Sequence, residues 1–297
     1  MDKALAEIIP LLPPEIGSKL LRCTFSGLQE IRLRSMRPIM LYYSDRESFL
    51  TDNGEGPREK GIVASSELIE KTVSNFCRNS VYAHTDNIKE GFVTLTGGHR
   101  AGIGGRAVNS CGKVLNVINY SSVNIRIARE YKGSAEKCLP YILKEDRLFN
   151  TVIIAPPGGG KTTLLRDISR LLSENRKVTI VDERFEIAAE ERGKSGFDIG
   201  LQTDVLSGFH KAEGIVYALR SLAPDVIVCD EIGTDSDRIA IENILKGGCK
   251  IVTSMHGYSV EEALEKKGAL MSLFDVAVLL ERKNGIPEVK ECVRLWE

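Results

Sequence analysis

The residues best suited to chemistry form the run Ala155-Pro156-Pro157-Gly158-Gly159-Gly160-Lys161-Thr162-Thr163. Successive glycines let a backbone curl until its N–H groups face one point, which is what a bound phosphate requires. Lys161 adds an ammonium able to reach the β- and γ-phosphates, and the Thr162 hydroxyl can ligate Mg²⁺. Ala155 stands where the usual pattern has its first glycine, a small change. The run is read as a nucleotide-binding P-loop with ATP and Mg²⁺ as its expected ligands.

A second group closes the segment Pro224-Asp225-Val226-Ile227-Val228-Cys229-Asp230-Glu231, an apolar stretch ending in two carboxylates. Phosphoryl transfer needs positioning and charge neutralisation more than covalent help. Asp230 suits the metal, held through its water shell, and Glu231 suits the attacking water. A third group, Asp182-Glu183-Arg184-Phe185-Glu186, supplies Asp182 and Glu183 as supporting acids, or else is a solvated strand-to-loop turn. His256, in Val252-Thr253-Ser254-Met255-His256-Gly257, is either a donor that senses the γ-phosphate or a structural histidine. Asp182, Glu183 and Glu231 each remain open as the residue that positions water.

These groups need elements that bring them together. Thr151-Val152-Ile153-Ile154 precedes the P-loop and an amphipathic stretch, Leu164 to Leu172, follows it, giving strand, loop and helix. From Ala135 onward the periodicity predicts a helix to Leu143, then strands over 151–155, 178–182, 226–230, 250–254, 276–281 and 289–293. Helices are predicted over 161–173, 211–222 and 236–246. Such alternation implies a parallel sheet covered on both faces, with ligands at the carboxyl ends of its strands. Before residue 133 the pattern is instead short strands (30–34, 39–43, 91–96, 114–119, 123–127) with one helix over 65–77, an α+β domain. Residues 52–61 read as a loop, the prolines at 10, 13 and 14 as breaks in the first helix-like segment, and Gly97 to Arg106 as a tight turn whose glycines serve positive φ. The expected architecture is an α+β domain over 1–133 followed by an α/β RecA-like P-loop NTPase domain over 134–297.

Composition narrows the class. The 297 residues are 42% hydrophobic, enough for two cores. No apolar stretch approaches the roughly 20 residues that span a bilayer, and no signal-peptide pattern is present, so a cytoplasmic location is expected. The 7 cysteines are odd in number and form no Cys-x-x-Cys pair, which reads as reduced core residues rather than disulfides or a zinc site. A net charge of −1 and 6% aromatic residues argue against nucleic acid as partner.

The order of motifs resembles the RecA-like ATPases that drive type II and type IV secretion and pili. The P-loop comes first, then Ile180-Val181-Asp182-Glu183-Arg184-Phe185-Glu186-Ile187, then Leu219-Arg220 before the Asp-Glu strand, then Thr253-Ser254-Met255-His256-Gly257. Within that class the chain is similar to the stage III sporulation AA family of endospore-forming bacteria. Three further segments carry that likeness: Glu30-Ile31-Arg32-Leu33-Arg34, Thr96-Gly97-Gly98-His99-Arg100-Ala101-Gly102-Ile103-Gly104-Gly105-Arg106 and Asn124-Ile125-Arg126-Ile127-Ala128-Arg129-Glu130.

The resemblance implies a mother-cell ATPase, peripheral to the membrane around the forespore, that powers assembly of, or transport through, the channel joining the two cells. It further implies a homo-hexamer, and membrane proteins of the stage III channel complex as partners. Motors of this class place nucleotide between subunits and reach it with arginines of the amino-terminal domain. Arg126 and Arg129 are the candidates, with structural ion pairing as the alternative. Asp230 departs from the glycine that secretion motors often have before the glutamate. A nucleic-acid-stimulated RecA-like ATPase is the competing function.

Overall fold

The computed structural model describes residues 3–77, 88, 91–110, 112–190, 195–283 and 286–296. Contacts divide the chain into two compact units, Met1–Arg129 and Glu130–Glu297.

In the first unit two short helices, α1 (Lys3–Ile8) and α2 (Pro14–Leu20), precede the strands. The prolines read as breaks are accommodated. Pro10 lies in a 3-10 turn, and Pro14 occupies the first turn of α2, where its missing N–H has no helical partner to lose. The strands β1 (Leu28–Arg34), β2 (Met40–Tyr43), β3 (Glu47–Thr51), β4 (Gly54–Gly56), β5 (Phe92–Thr94), β6 (Arg100–Ser110) and β7 (Lys113–Arg126) form one antiparallel sheet. Their order is β4-β3-β2-β1-β7-β6-β5. Helix α3 (Ser66–Phe76) is capped by Ser65, whose hydroxyl accepts the Leu68 N–H at 3.1 Å, and it buries Ile69, Val73 and Phe76. Ile31, Leu33, Val123 and Ile125 join them from the sheet through the period-2 alternation of β1 and β7.

Three expectations for this unit are corrected. The stretch 52–61 is a hairpin end followed by a 3-10 turn, with β4 pairing onto β3. The glycine run is a turn only at Gly97 and Gly98, with φ of +81° and +76°, while Gly102, Gly104 and Gly105 lie inside β6. The two strands expected over 114–119 and 123–127 are one strand, β7, interrupted at Asn119, where φ is +50°.

The second unit begins with a short helix, α4 (Leu139–Ile142), far shorter than the helix expected from Ala135. Pro140 near its start fits a first turn, and only turns precede it. There follow β8 (Thr151–Ala155), α5 (Lys161–Leu172), β9 (Val178–Asp182), β10 (Thr203–Ser207), α6 (Lys211–Ser221), β11 (Val226–Cys229), α7 (Asp235–Lys246), β12 (Lys250–His256), α8 (Val260–Met271), β13 (Val276–Lys283) and β14 (Ile286–Arg294). The sheet order is β10-β9-β11-β12-β8-β13-β14, parallel except for the β13–β14 hairpin.

Alternate residues of the central strands feed two cores. Val152, Ile154, Ile227 and Cys229 enter the cluster shared with α6, α7 and α8. Ile153, Ala155, Val226 and Val228 enter the one shared with α5. Burial on both faces is what a parallel sheet wrapped by helices requires. The order β9-β11-β12-β8 makes the four motif-bearing strands neighbours, so their carboxyl ends meet at one edge. The six described cysteines are free thiols, as read from their scatter, but only Cys77, Cys138, Cys229 and Cys249 are core residues; Cys23 and Cys292 are half-buried. Cys111 lies outside the described residues.

Candidate functional site

The P-loop turns because its glycines can do what other residues cannot. Gly158 and Gly160 sit at φ +70° and +94°, and a Cβ on Gly159 would lie 2.7 Å from the Ala155 Cβ and 2.9 Å from the Pro156 carbonyl. Gly160 then caps α5 without any side-chain hydrogen bond, so the first N–H groups of the helix face the loop. Lys161 opens α5 and is 9% exposed. Its ammonium donates to the Ala155 carbonyl at 3.2 Å, to the Pro156 carbonyl at 3.3 Å and to His256 Nδ1 at 2.8 Å. Burial holds its pKa below the ordinary lysine value, against the opposing pull of Glu231 and Asp230.

His256 ends β12 directly beside Ala155, its register partner in β8. An ammonium can only donate, so Nδ1 accepts and the ring proton sits on Nε2. That nitrogen faces Glu231 Oε1 at 2.7 Å. The result is a directed chain, Lys161 to His256 to Glu231, from the phosphate loop to the carboxylate at the end of β11. Arg184 stands 3.7 Å from the other Glu231 oxygen.

Glu231 itself adopts φ +26°, a left-handed value for a residue with a Cβ, which costs about 1–3 kcal/mol and is found where a side chain must be aimed. The turn is fastened from three sides. Its N–H donates to Ser254 Oγ at 3.1 Å, the Ile232 N–H donates to the Ser254 carbonyl at 2.8 Å, and Lys211 Nζ donates to the Glu231 carbonyl.

Asp230 is 8% exposed, and among the described residues no hydrogen bond reaches its carboxylate. Burial pushes its pKa up to about 6, with Lys211 opposing and Asp182 and Glu186 reinforcing. A buried carboxylate of this kind fits a divalent cation that also takes phosphate oxygens and water, and Thr162 at the head of α5 offers the second protein ligand. The glycine cradle and the orphaned acid thus fit Mg²⁺ bound with a nucleotide.

Asp182 is wholly buried at the end of β9, and its two oxygens accept the N–H groups of Glu186 (2.8 Å), Ile187 (3.1 Å) and Ala188 (2.9 Å). It shapes the loop that carries Glu183 and Arg184. Burial raises its pKa while those backbone donors oppose the rise. Glu183 pairs with His210 Nδ1 at 2.9 Å, and that contact raises the His210 pKa. Glu183, Arg184, Lys211, Asp230, Glu231 and Lys267 line a cavity of about 530 Å³ beside the chain.

The structure therefore brings together Ala155, Pro156, Lys161, Glu231 and His256 in direct contact. Pro157, Gly158, Gly159, Gly160, Thr162 and Thr163 complete the loop and the head of α5. Arg126 and Arg129 belong to the amino-terminal unit. Arg126 is largely exposed and pairs with Glu30 at 3.3 Å, whereas Arg129 donates to the carbonyls of Phe25 and Leu28 at 2.5 and 3.1 Å.

Lys211, Arg184 and Ser254 escaped the sequence reading. One signal marked Lys211: a cation at the first position of a helix opposes the helix dipole, so it needs a partner elsewhere.

A family model described as "Sporulation stage III, protein AA" matches residues 6–292. The stage III sporulation protein AA of Bacillus subtilis (strain 168) is 36% identical over 292 residues, spanning 95% of this chain and 91% of that protein. Among solved structures, the ATPase DotB of Legionella pneumophila superposes with a TM-score of 0.59 at 16% identity, over 91% of this chain and 78% of its own. The pilus retraction motor PilT with bound ADP superposes at 0.54 and 14% identity, over 93% and 78%. The fold is that of the RecA-like secretion ATPases, as the motif order implied.

Proposed function

The chain belongs to the sporulation stage III protein AA family, and on that footing we propose that it is a Mg²⁺-dependent ATPase, hydrolysing ATP to ADP and phosphate at the carboxyl edge of the second sheet. The observation that supports this best is the chain Lys161–His256–Glu231, which links the phosphate loop to a carboxylate held in a strained backbone. Residues 134–297 act as the ATPase domain, with residues 1–133 as its amino-terminal partner domain.

Each group has a task. The loop N–H groups and Lys161 bind and neutralise the phosphates of ATP, the substrate. Thr162 and Asp230 hold Mg²⁺, which supplies charge neutralisation at the phosphate oxygens. Glu231 accepts a hydrogen bond from water and orients it for in-line attack, and His256 reports whether Lys161 is engaged by phosphate or by its own ring. Glu183 and Asp182 support, the first from the cavity rim and the second through the loop it shapes. Of the two candidate arginines, Arg126 reaches the nucleotide of a neighbouring subunit in a homo-hexamer, whereas Arg129, tied to the carbonyls of Phe25 and Leu28, takes the structural alternative.

The work done with that energy is assembly of, or transport through, the channel complex between mother cell and forespore. The motor is peripheral to the mother-cell face of the membrane, with membrane proteins of that complex as partners. The test is steady-state hydrolysis by the purified chain, with membranes carrying those partners, with RNA and with single-stranded DNA. Stimulation by the membranes supports the reading. Stimulation by nucleic acid alone replaces it with a nucleic-acid-driven ATPase, and turnover unaffected by Lys161→Ala removes the site altogether.

A further inference from the structure

Strands β6 and β7 extend well past the sheet that anchors them. β5 pairs with β6 at Arg100, Ala101 and Gly102, the Ile103 N–H donating to the Gly91 carbonyl just beyond, and β1 pairs with β7 over 122–126. Past the bond from the Ser35 N–H to the Ser121 carbonyl, the two strands pair, among the described residues, only with each other, as far as Ser110 opposite Lys113. A two-stranded ribbon is marginal in water unless something covers it.

A joint separates this ribbon from the sheet. The register shifts between Gly104 and Arg106, and Asn119 on the opposite strand takes φ +50°. Gly105 is obligatory there, because a Cβ would lie 2.8 Å from both the Ile118 carbonyl and the Val117 Cγ1. Bulges of this kind re-aim a strand pair.

Past the joint the ribbon carries apolar side chains on both faces. Ile118 opposes Arg106 on one face, and on the other Leu115 is exposed while Val117, opposite Ala107, is half-buried against the core of its unit. Val108, Val114, Leu115 and Ile118 are 38–48% exposed. Exposed apolar clusters of this sort mark interaction sites. The charge is one-sided as well: from Gly91 to Arg129 the sequence contains no Asp or Glu, while Arg106 lies exposed on the ribbon and Lys113 begins β7.

We propose that the β6–β7 ribbon is an arm that seats on an anionic lipid bilayer, its apolar side chains entering the acyl boundary and Arg106 meeting the headgroups. This deepens the membrane association proposed above. Pairing of two ribbons from two copies would set like charges against each other, which disfavours a second copy as the occupant.

The test is co-sedimentation of the full chain with phosphatidylglycerol-rich vesicles and with phosphatidylcholine vesicles. The wild type binds the anionic vesicles, less tightly as salt rises, and binds the neutral ones weakly. Val114→Asp with Leu115→Asp weakens anionic binding by about tenfold or more. Arg106→Glu weakens it by about tenfold, and its effect disappears at high salt. Melting temperature and basal ATP turnover, measured on the same preparations, stay at wild-type values.

Variants that bind as tightly as the wild type overturn the arm while leaving membrane association standing. A wild type that binds neither vesicle overturns the arm, while association through membrane proteins is judged separately by the turnover measured with membranes that carry them. Unchanged vesicle binding together with a smaller oligomer in the variants overturns the arm and assigns the ribbon to contact between copies. ATP turnover in these samples judges the motor independently.

Discussion

Replacing Asp230 with Asn should stabilise the free protein while removing its activity. Moving the carboxyl from its ordinary 3.8 to about 6 makes the ionised form about 3 kcal/mol costlier in the folded state than in the unfolded one. The sign follows from proton binding. Between those two values the folded protein holds a proton that the unfolded chain has lost, so stability falls as pH rises through the window and stays low above about 6. Asn carries no charge and escapes the penalty. Nucleotide-free Asp230→Asn should therefore melt above the wild type at pH 8, by about 6–12 °C for a unit of this size. The gap should close as pH falls toward 4, where wild-type Asp230 is itself protonated. Adding Mg²⁺ and nucleotide should raise the wild-type melting temperature by more than that of the variant, which keeps the phosphate loop but lacks the carboxylate for the metal. Differential scanning calorimetry at several pH values reads all three. A variant that melts below the wild type at pH 8, or a gap that ignores pH, refutes the claim that Asp230 is an uncompensated buried acid awaiting a cation.

Asp182→Ala strands two buried N–H groups, those of Ile187 and Ala188, at about 1–3 kcal/mol each, and frees the part-buried Glu186 N–H, so chemical denaturation should register a loss of at least about 2 kcal/mol, with turnover falling as the loop bearing Glu183 and Arg184 loosens. Gly160→Ala combines φ +94° with a Cβ placed 2.2 Å from the Pro287 Cβ, and equilibrium titration with a fluorescent ATP analogue should find binding reduced at least about tenfold. Arg126→Ala should reduce turnover with nucleotide affinity nearly intact. Arg129→Ala should instead lower the melting temperature, because its guanidinium ties together the carbonyls of Phe25 and Leu28. Equal behaviour of the two arginine variants in calorimetry and kinetics would count against that division.

What the sequence revealed and what it hid follow from the range of the interactions involved. The P-loop and the Asp230-Glu231 strand were legible because glycine curvature, a strand before and a helix after are all local requirements. The parallel order of the second sheet was legible as alternation of buried runs with amphipathic ones. β10 was missed because Thr203-Asp204-Val205-Leu206-Ser207 is an edge strand with one buried side chain, Leu206, so its pattern is faint. α8 was missed although Ser259 caps it through the Glu262 N–H at 3.1 Å, and the Ser-x-x-Glu spacing that marks such a cap is present in the sequence. The joint in β6 and β7 was misread because glycines in strands and glycines in turns look alike until the partner strand is known. In the site, Asp182 and Asp230 both end apolar strands, and only the fold separates an acid satisfied by loop N–H groups from one left bare. The contact of Lys161 with His256 spans 95 positions of sequence, beyond any local pattern.

The central claim is that Glu231 positions the water attacking a nucleotide held by the P-loop, and Glu231→Gln examines it most directly. The amide keeps the shape and one acceptor but lacks the charge that polarises water. Purified wild type and variant would be mixed with radiolabelled ATP, and bound nucleotide and released phosphate followed together. The account predicts that the variant retains ATP at near wild-type affinity while its steady-state turnover falls by about two orders of magnitude or more. A variant that hydrolyses at the wild-type rate, with turnover lost in Glu183→Gln instead, contradicts it.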